Sequence, residues 1–218
     1  MRILLTGATG LVGQGVLREC LRDTGVTKIV ALGRRASGQT DPKFSEIIVS
    51  DFAELGAVEQ QLRPFDACFY CAGAPPLGPP EAEYRHVTFD LTTHVAQTLA
   101  RLNPHMTLLY ISGALADPKS WIMPLRIKGE TEQALAALPI RTVMLRPGGV
   151  QPLQGVHSPH AGMAAIYKVA GPVMGLGVRL MPSLLTTTRA VALAMLKLAR
   201  DPDAPPVVEN ARINQLGA

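Results

Sequence analysis

The first thirteen residues constrain this chain more than any other stretch: Met1-Arg-Ile-Leu-Leu-Thr-Gly-Ala-Thr-Gly-Leu-Val-Gly13. Arg2 to Leu5 reads as a short buried strand. Leu11 to Arg22 reads as a helix, with Val12, Val16, Leu17, Cys20 and Leu21 in an apolar stripe at helical spacing. Between them Gly7, Gly10 and Gly13 recur every three residues. Gly7 allows a sharp turn off the strand, Gly10 leaves room for a diphosphate against the backbone, and Gly13 lets the helix pack closely on the sheet. The unpaired N–H groups of a helix start attract phosphate. A ligand-free turn would also accept these glycines. The strand-before, helix-after setting is nevertheless the one in which such spacing marks a dinucleotide site, lined by Gly7, Thr9, Gly10, Leu11, Val12 and Gly13.

The same alternation continues. Strands are expected at Lys28 to Leu32, Glu46 to Val49, Asp66 to Cys71, Thr107 to Ile111 and Arg141 to Leu145. Helices are expected at about Ala53 to Leu62, Glu81 to Leu102, Pro124 to Ala137 and Thr186 to Ala199, with a short strand and helix over Val207 to Leu216. This pattern predicts an α/β fold: a doubly wound parallel sheet in the order 3-2-1-4-5-6 with a small C-terminal elaboration. Residues 1–218 form one domain, ample for a full core. Within it, 151–185 is rich in Gly, Pro and His and is read as a lid or substrate-side elaboration over the carboxyl ends of the strands.

Composition narrows the function. Net charge is +4, but the basic residues are scattered and aromatics make up only 5%, so a nucleic-acid role has little support. No secretory pattern or apolar run of spanning length is visible, which sets the cytoplasm as the default location. The 163–182 segment is apolar enough to touch a membrane surface or to be buried. Three cysteines do not make a disulfide framework, and Cys68 and Cys71 should point to opposite faces of their strand. His157 and His160 lack a third ligand, so no metal site is expected.

Strand ends supply the candidate site. After strand two come Arg34 and Arg35 and no acid. An acid there receives the ribose hydroxyl of NAD, whereas guanidiniums suit the 2′-phosphate of NADP, so NADP is expected over NAD; a solvated surface pair is the alternative. Asp51 and Phe52 close strand three beside the expected adenine position, where Asp51 also suits a helix cap. Cys71, Ala72 and Gly73 follow strand four, and Ser112 follows strand five. Lys128 lies in the next helix, and Pro147 and Gly148 follow strand six.

These residues resemble the short-chain dehydrogenase/reductase superfamily. The glycine spacing is similar to that of its extended and atypical branches. A narrower likeness, carried by Ile111-Ser-Gly-Ala-x-Ala-Asp117-Pro, Arg126-Ile-Lys-Gly-Glu-Thr-Glu132, Leu145-Arg-Pro-Gly-Gly-Val-Gln-Pro-Leu153, Thr186-Thr-Thr188 and Val208-Glu-Asn-Ala-Arg-Ile-Asn214, is to atypical bacterial epimerase-like oxidoreductases related to the Tat-interacting-protein-30 group. The superfamily's device is Ser, Tyr and Lys, with Tyr one helical turn before Lys. The resemblance makes Ser112 and Lys128 the catalytic candidates, with Lys128 also holding the nicotinamide ribose and Pro147 and Gly148 lining the nicotinamide. The Tyr position is Pro124, which has no proton to give. Tyr110, Tyr167, His157 and His160 are possible replacements; Tyr110 also suits the core.

Three functions fit. One is an NADPH-dependent oxidoreductase acting on a small molecule or electron acceptor, such as a flavin or quinone, that needs little help from a protein acid. Another is a non-catalytic NADP(H)-binding sensor. An epimerase or dehydratase ranks last, since it too would need the Tyr. The helix Glu81 to Leu102 offers a face for a homodimer.

Overall fold

The computed structural model describes residues 1–76, 78–152 and 183–218. Seven parallel strands form one sheet: β1 (Arg2–Thr6), β2 (Lys28–Gly33), β3 (Phe44–Ile48), β4 (Ala67–Tyr70), β5 (Thr107–Ile111), β6 (Arg141–Arg146) and β9 (Val207–Glu209), in the order β3-β2-β1-β4-β5-β6-β9. The expected six-strand order holds, and the closing strand extends it at the β6 edge. Two short strands, β7 (Gly149–Gln151) and β8 (Leu185–Thr187), pair in parallel as a separate sheet at the two ends of the expected 151–185 elaboration. Its interior, with Tyr167, His157, His160 and the 163–182 segment, lies outside the described residues.

Strand residues alternate between two cores, as a sheet covered on both faces requires. Ile3, Leu5, Ile29, Ala31, Phe69, Leu109, Val143 and Leu145 pack with α1 (Leu11–Arg22), α4 (Thr188–Arg200) and α5 (Asn210–Leu216). Leu4, Val30, Leu32, Cys68, Tyr70, Leu108, Tyr110 and Met144 pack on the other face, against α2 (residues 81–102) and α3 (Met123–Ala136). The three cysteines are free, and Cys68 and Cys71 belong to opposite faces as expected.

Several local expectations are corrected. The 53–62 stretch is a six-residue 3₁₀ run, Gly56–Gln61, rather than a helix; its flanking Leu55, Leu62 and Phe65 supply the burial. In α2, the stretch His86–Asp90 is a π turn, which sets the Thr88 carbonyl to accept from the Thr131 hydroxyl of α3 at 3.3 Å. Thr186 and Thr187 belong to β8. Helix α4 starts one residue later, and the Thr187 hydroxyl caps it by accepting from the Ala190 N–H at 3.0 Å.

Candidate functional site

The register sets the strand ends level. Thr6 pairs with Leu32 and with Tyr70, Tyr70 with Tyr110, and Ile111 with Leu145. Gly7, Arg34, Cys71, Ser112 and Pro147 therefore leave the sheet side by side along its carboxyl edge, where parallel α/β sheets take ligands.

The first part of this edge is made of backbone. Gly7 has φ +70°, and a Cβ on it would stand 2.7 Å from the backbone of Cys71 and Ala72. A Cβ on Gly13 would lie 1.9 Å from the Gly7 carbonyl oxygen, so only glycine lets α1 start this close to the turn. Gly10 is the N-cap of α1, and no side chain caps it; the first turn carries no acid. A Cβ there would approach only the Gly7 oxygen, at 3.2 Å. The result is a glycine-walled helix start whose first-turn amides have no partner within the helix itself. Thr9 and Gln14 brace it: the Thr9 carbonyl accepts from the Gln14 amide at 2.9 Å. Thr6 ties in β4, its hydroxyl accepting from the Ala72 N–H at 3.2 Å.

Arg34 and Arg35 are exposed just beyond β2. Among the described residues no carboxylate pairs with either. Asp51 is exposed, and its carboxylate accepts from the Ala53 N–H at 2.9 Å, a turn-forming role. Phe52 is buried in the core on the α2/α3 face, so its ring is packing and not a platform on the edge.

The second part is made of side chains. The Lys128 amine donates to the Ile111 carbonyl at 2.9 Å and to the Tyr110 hydroxyl at 3.0 Å, and lies 4.7 Å from the Tyr110 ring centre. A Cβ on Gly73 would sit 4.0 Å from it, so the amine borders the loop after β4. Burial lowers its pKa from 10.5 to about 8, against the opposing pull of Glu132 and Cys71. Ser112 is 6% exposed, and among the described residues its hydroxyl has no hydrogen-bond partner. A buried hydroxyl left unpaired costs stability unless a ligand completes it. Pro124 occupies the first turn of α3, where a missing N–H is harmless.

Sequence reasoning left Tyr110 undecided between core and site; its ring is fully buried in the core, and its hydroxyl accepts from Lys128. Two residues were missed. Asn210 accepts from the Gly148 N–H at 2.7 Å and donates to the Leu185 carbonyl at 2.9 Å. Asn214 donates to the same carbonyl at 2.7 Å and accepts from the Thr186 hydroxyl at 2.7 Å. Together they clamp the Pro147–Gly148 loop and β8 onto α5. Their signal was the Val208-to-Asn214 motif, which carried the resemblance but assigned neither Asn a role. On α3, Glu132 binds Arg146 at 2.6 Å, and Arg146 reaches Glu209 at 3.0 Å, which fixes the helix carrying Lys128 against β6 and β9.

The model of the NAD dependent epimerase/dehydratase family matches residues 3–132, from β1 to just past Lys128. The chain belongs to this family. The family and its fold support an NAD(P)-type cofactor. A mitochondrial protein of Emericella nidulans, fmp52, is 31% identical over 67% of this chain, and the match takes in 65% of that relative's length, just under two thirds. The Kluyveromyces lactis protein FMP52, also named mitochondrial, is 30% identical over 69% of this chain and 67% of its own. These names overturn the cytoplasmic expectation, which rested on the absence of a secretory pattern and had no means of telling cytoplasm from an organelle's interior. Among solved structures, MoeE5 in complex with UDP-glucose and NAD superposes with a TM-score of 0.71 at 18% identity, covering 95% of this chain and 75% of that one. UDP-glucuronic acid 4-epimerase from Bacillus cereus, in complex with NAD, gives 0.69 at 14% identity, covering 95% and 76%. At such identities the likeness is one of fold.

Proposed function

We propose that this family member is an NADP(H)-binding oxidoreductase. The observation that carries the reading is the pairing of an uncapped, glycine-walled helix start with a buried, unpartnered Ser112 hydroxyl beside the Lys128 anchor. The residues fit the cofactor. The α1 amides would hold the diphosphate, Arg34 and Arg35 the 2′-phosphate, Lys128 the ribose next to the nicotinamide, and Pro147 and Gly148 the far side of that ring. When bound, the cofactor supplies a hydride. The chain's own share is to place the acceptor. Ser112 donates one hydrogen bond to an acceptor oxygen, and Lys128, held by Tyr110 and the Ile111 carbonyl, fixes the ribose and favours developing negative charge. With proline at residue 124, no side chain one turn before Lys128 protonates the product.

Calorimetry with NADPH and NADH, followed by stopped-flow loss of NADPH absorbance across a panel of acceptors, tests this. Tight binding with turnover of at least one acceptor is expected; binding with no acceptor above the blank rate would remove the oxidoreductase. Pro124 favours a second reading, a cofactor-dependent binding protein. It requires a partner whose affinity differs between cofactor-loaded and free protein, and equal affinities would end it.

A further inference from the structure

Four large apolar side chains stand in solvent on the segment that follows Ser112 and on the one bonded to Gly149: Trp121 at 99% exposure, Leu115 at 78%, Ile122 at 60% and Leu184 at 58%. The first three ride the 113–122 loop, which leaves the sheet directly after Ser112 and runs directly into α3. Backbone hydrogen bonds join this loop to Leu184: the Ala114 N–H donates to the Pro147 carbonyl at 2.9 Å, and the Gly149 N–H donates to the Leu184 carbonyl at 2.8 Å. Both segments therefore meet the Pro147–Gly149 stretch. Leu115 has φ 63°, in the left-handed region that residues with a Cβ rarely adopt. A strained backbone that presents a leucine to water does nothing for stability, and such positions gather at functional sites. Single exposed apolar residues are ordinary, whereas several on adjoining segments at the ligand edge of a sheet point to a binding surface.

At the root of the 113–122 loop the Ser112 hydroxyl is buried and, among the described residues, has no partner. Among the described residues, one unpartnered hydroxyl beside exposed apolar side chains suits a flat apolar molecule carrying a carbonyl. It does not suit a nucleotide-sugar, whose diphosphate and hydroxyls need many polar partners. Pro124 points the same way. A simple ketone needs an acid at the oxygen as it is reduced, but a quinone spreads that charge over its ring.

We propose that the 113–122 loop and Leu184 form the acceptor subsite and that it takes a planar quinone, stacked on Trp121 with one carbonyl oxygen on Ser112. The inference rests on the oxidoreductase reading above. In the step, the quinone gains a hydride from the reduced nicotinamide ring, whose carbon–hydrogen bond breaks, and one proton from water. Hydroquinone, oxidised cofactor and hydroxide result, and atoms and charge balance.

Trp121 is the chain's single tryptophan, so its fluorescence reports this subsite alone, without turnover. Titration with 2-methyl-1,4-naphthoquinone should give a saturable quench with a blue shift. In the Leu115→Ser/Ile122→Ser variant, with its melting curve as the folding control, the dissociation constant should rise at least about tenfold, a loss of about 1.4 kcal/mol. UDP-glucose should leave the emission unchanged. A linear, unsaturable quench, an unchanged constant in the variant, or a saturable response to UDP-glucose would each overturn the proposal. NADPH calorimetry on the same samples separates the two readings: cofactor binding without naphthoquinone binding sinks the subsite alone, and naphthoquinone binding without cofactor binding sinks the oxidoreductase.

Discussion

The two ends of the carboxyl edge are built from different materials. At the β1–α1 end the geometry belongs to the backbone: a left-handed glycine, a helix start without a cap, and a glycine pressed against a carbonyl oxygen. At the β5–α3 end it belongs to side chains: Lys128 held by Tyr110 and the Ile111 carbonyl, an unpartnered Ser112, and Pro124 where the superfamily places its acid. A backbone cradle tolerates almost any sequence change except at its glycines. A side-chain device loses one member with one substitution and keeps its fold. Cofactor binding and reaction chemistry can therefore diverge independently in one domain.

Gly13→Val tests the backbone end hardest. With a Cβ forced to 1.9 Å from the Gly7 oxygen, the turn must open. Urea unfolding should show a loss of about 3 kcal/mol, and NADPH binding should fall below detection by calorimetry. Wild-type affinity would mean that the cradle is not the site.

Pro124→Tyr tests the other end. If that end lacks only its acid, the variant should reduce a simple ketone on the order of tenfold or more faster than the parent, measured by NADPH absorbance. No gain would show that residue 124 does not face the acceptor, and that the two ends differ by more than one group.

Replacing Arg34 and Arg35 together by Ala sharpens the nucleotide end. Calorimetry should show NADPH binding weakened about tenfold and NADH binding nearly unchanged, since only the extra phosphate is lost. Equal losses would make the pair a plain surface feature.

A pH-dependent effect concerns Lys128. Its pKa in the folded protein, about 8, lies below the ordinary 10.5. Between those values the unfolded chain binds more protons, so the wild type gains stability as pH rises from about 8 towards 10.5, and below pH 8 it bears the cost of a buried charge. Lys128→Met should lack this rise in urea titrations at pH 7, 9 and 10. Parallel pH profiles would show that the amine is not held away from water.

The same division explains what the sequence made legible. Gly7, Gly10 and Gly13 could be assigned because a backbone requirement excludes other residues at fixed offsets. The alternation that put Cys68 and Cys71 on opposite faces was equally local. Phe52 was assigned to the edge by its neighbour Asp51, but nothing within its own strand end announced that its ring turns into the core. The β7–β8 pair and the Asn210 and Asn214 clamps join residues dozens of positions apart, and no local pattern encodes such partners. Tyr110 lay between these cases: alternation gave its face, and only the packing of α3 supplied Lys128.

Amide hydrogen exchange on the first turn of α1, read beside a thermal melt, addresses the central claim most directly. With NADPH at about 100 times its dissociation constant, linkage adds about 2.7 kcal/mol, which raises the melting temperature of a chain this size by about 5–10 °C. Leu11, Val12 and Gly13 should gain protection at the same time. Unchanged exchange at those three amides together with an unchanged melting temperature would contradict the account.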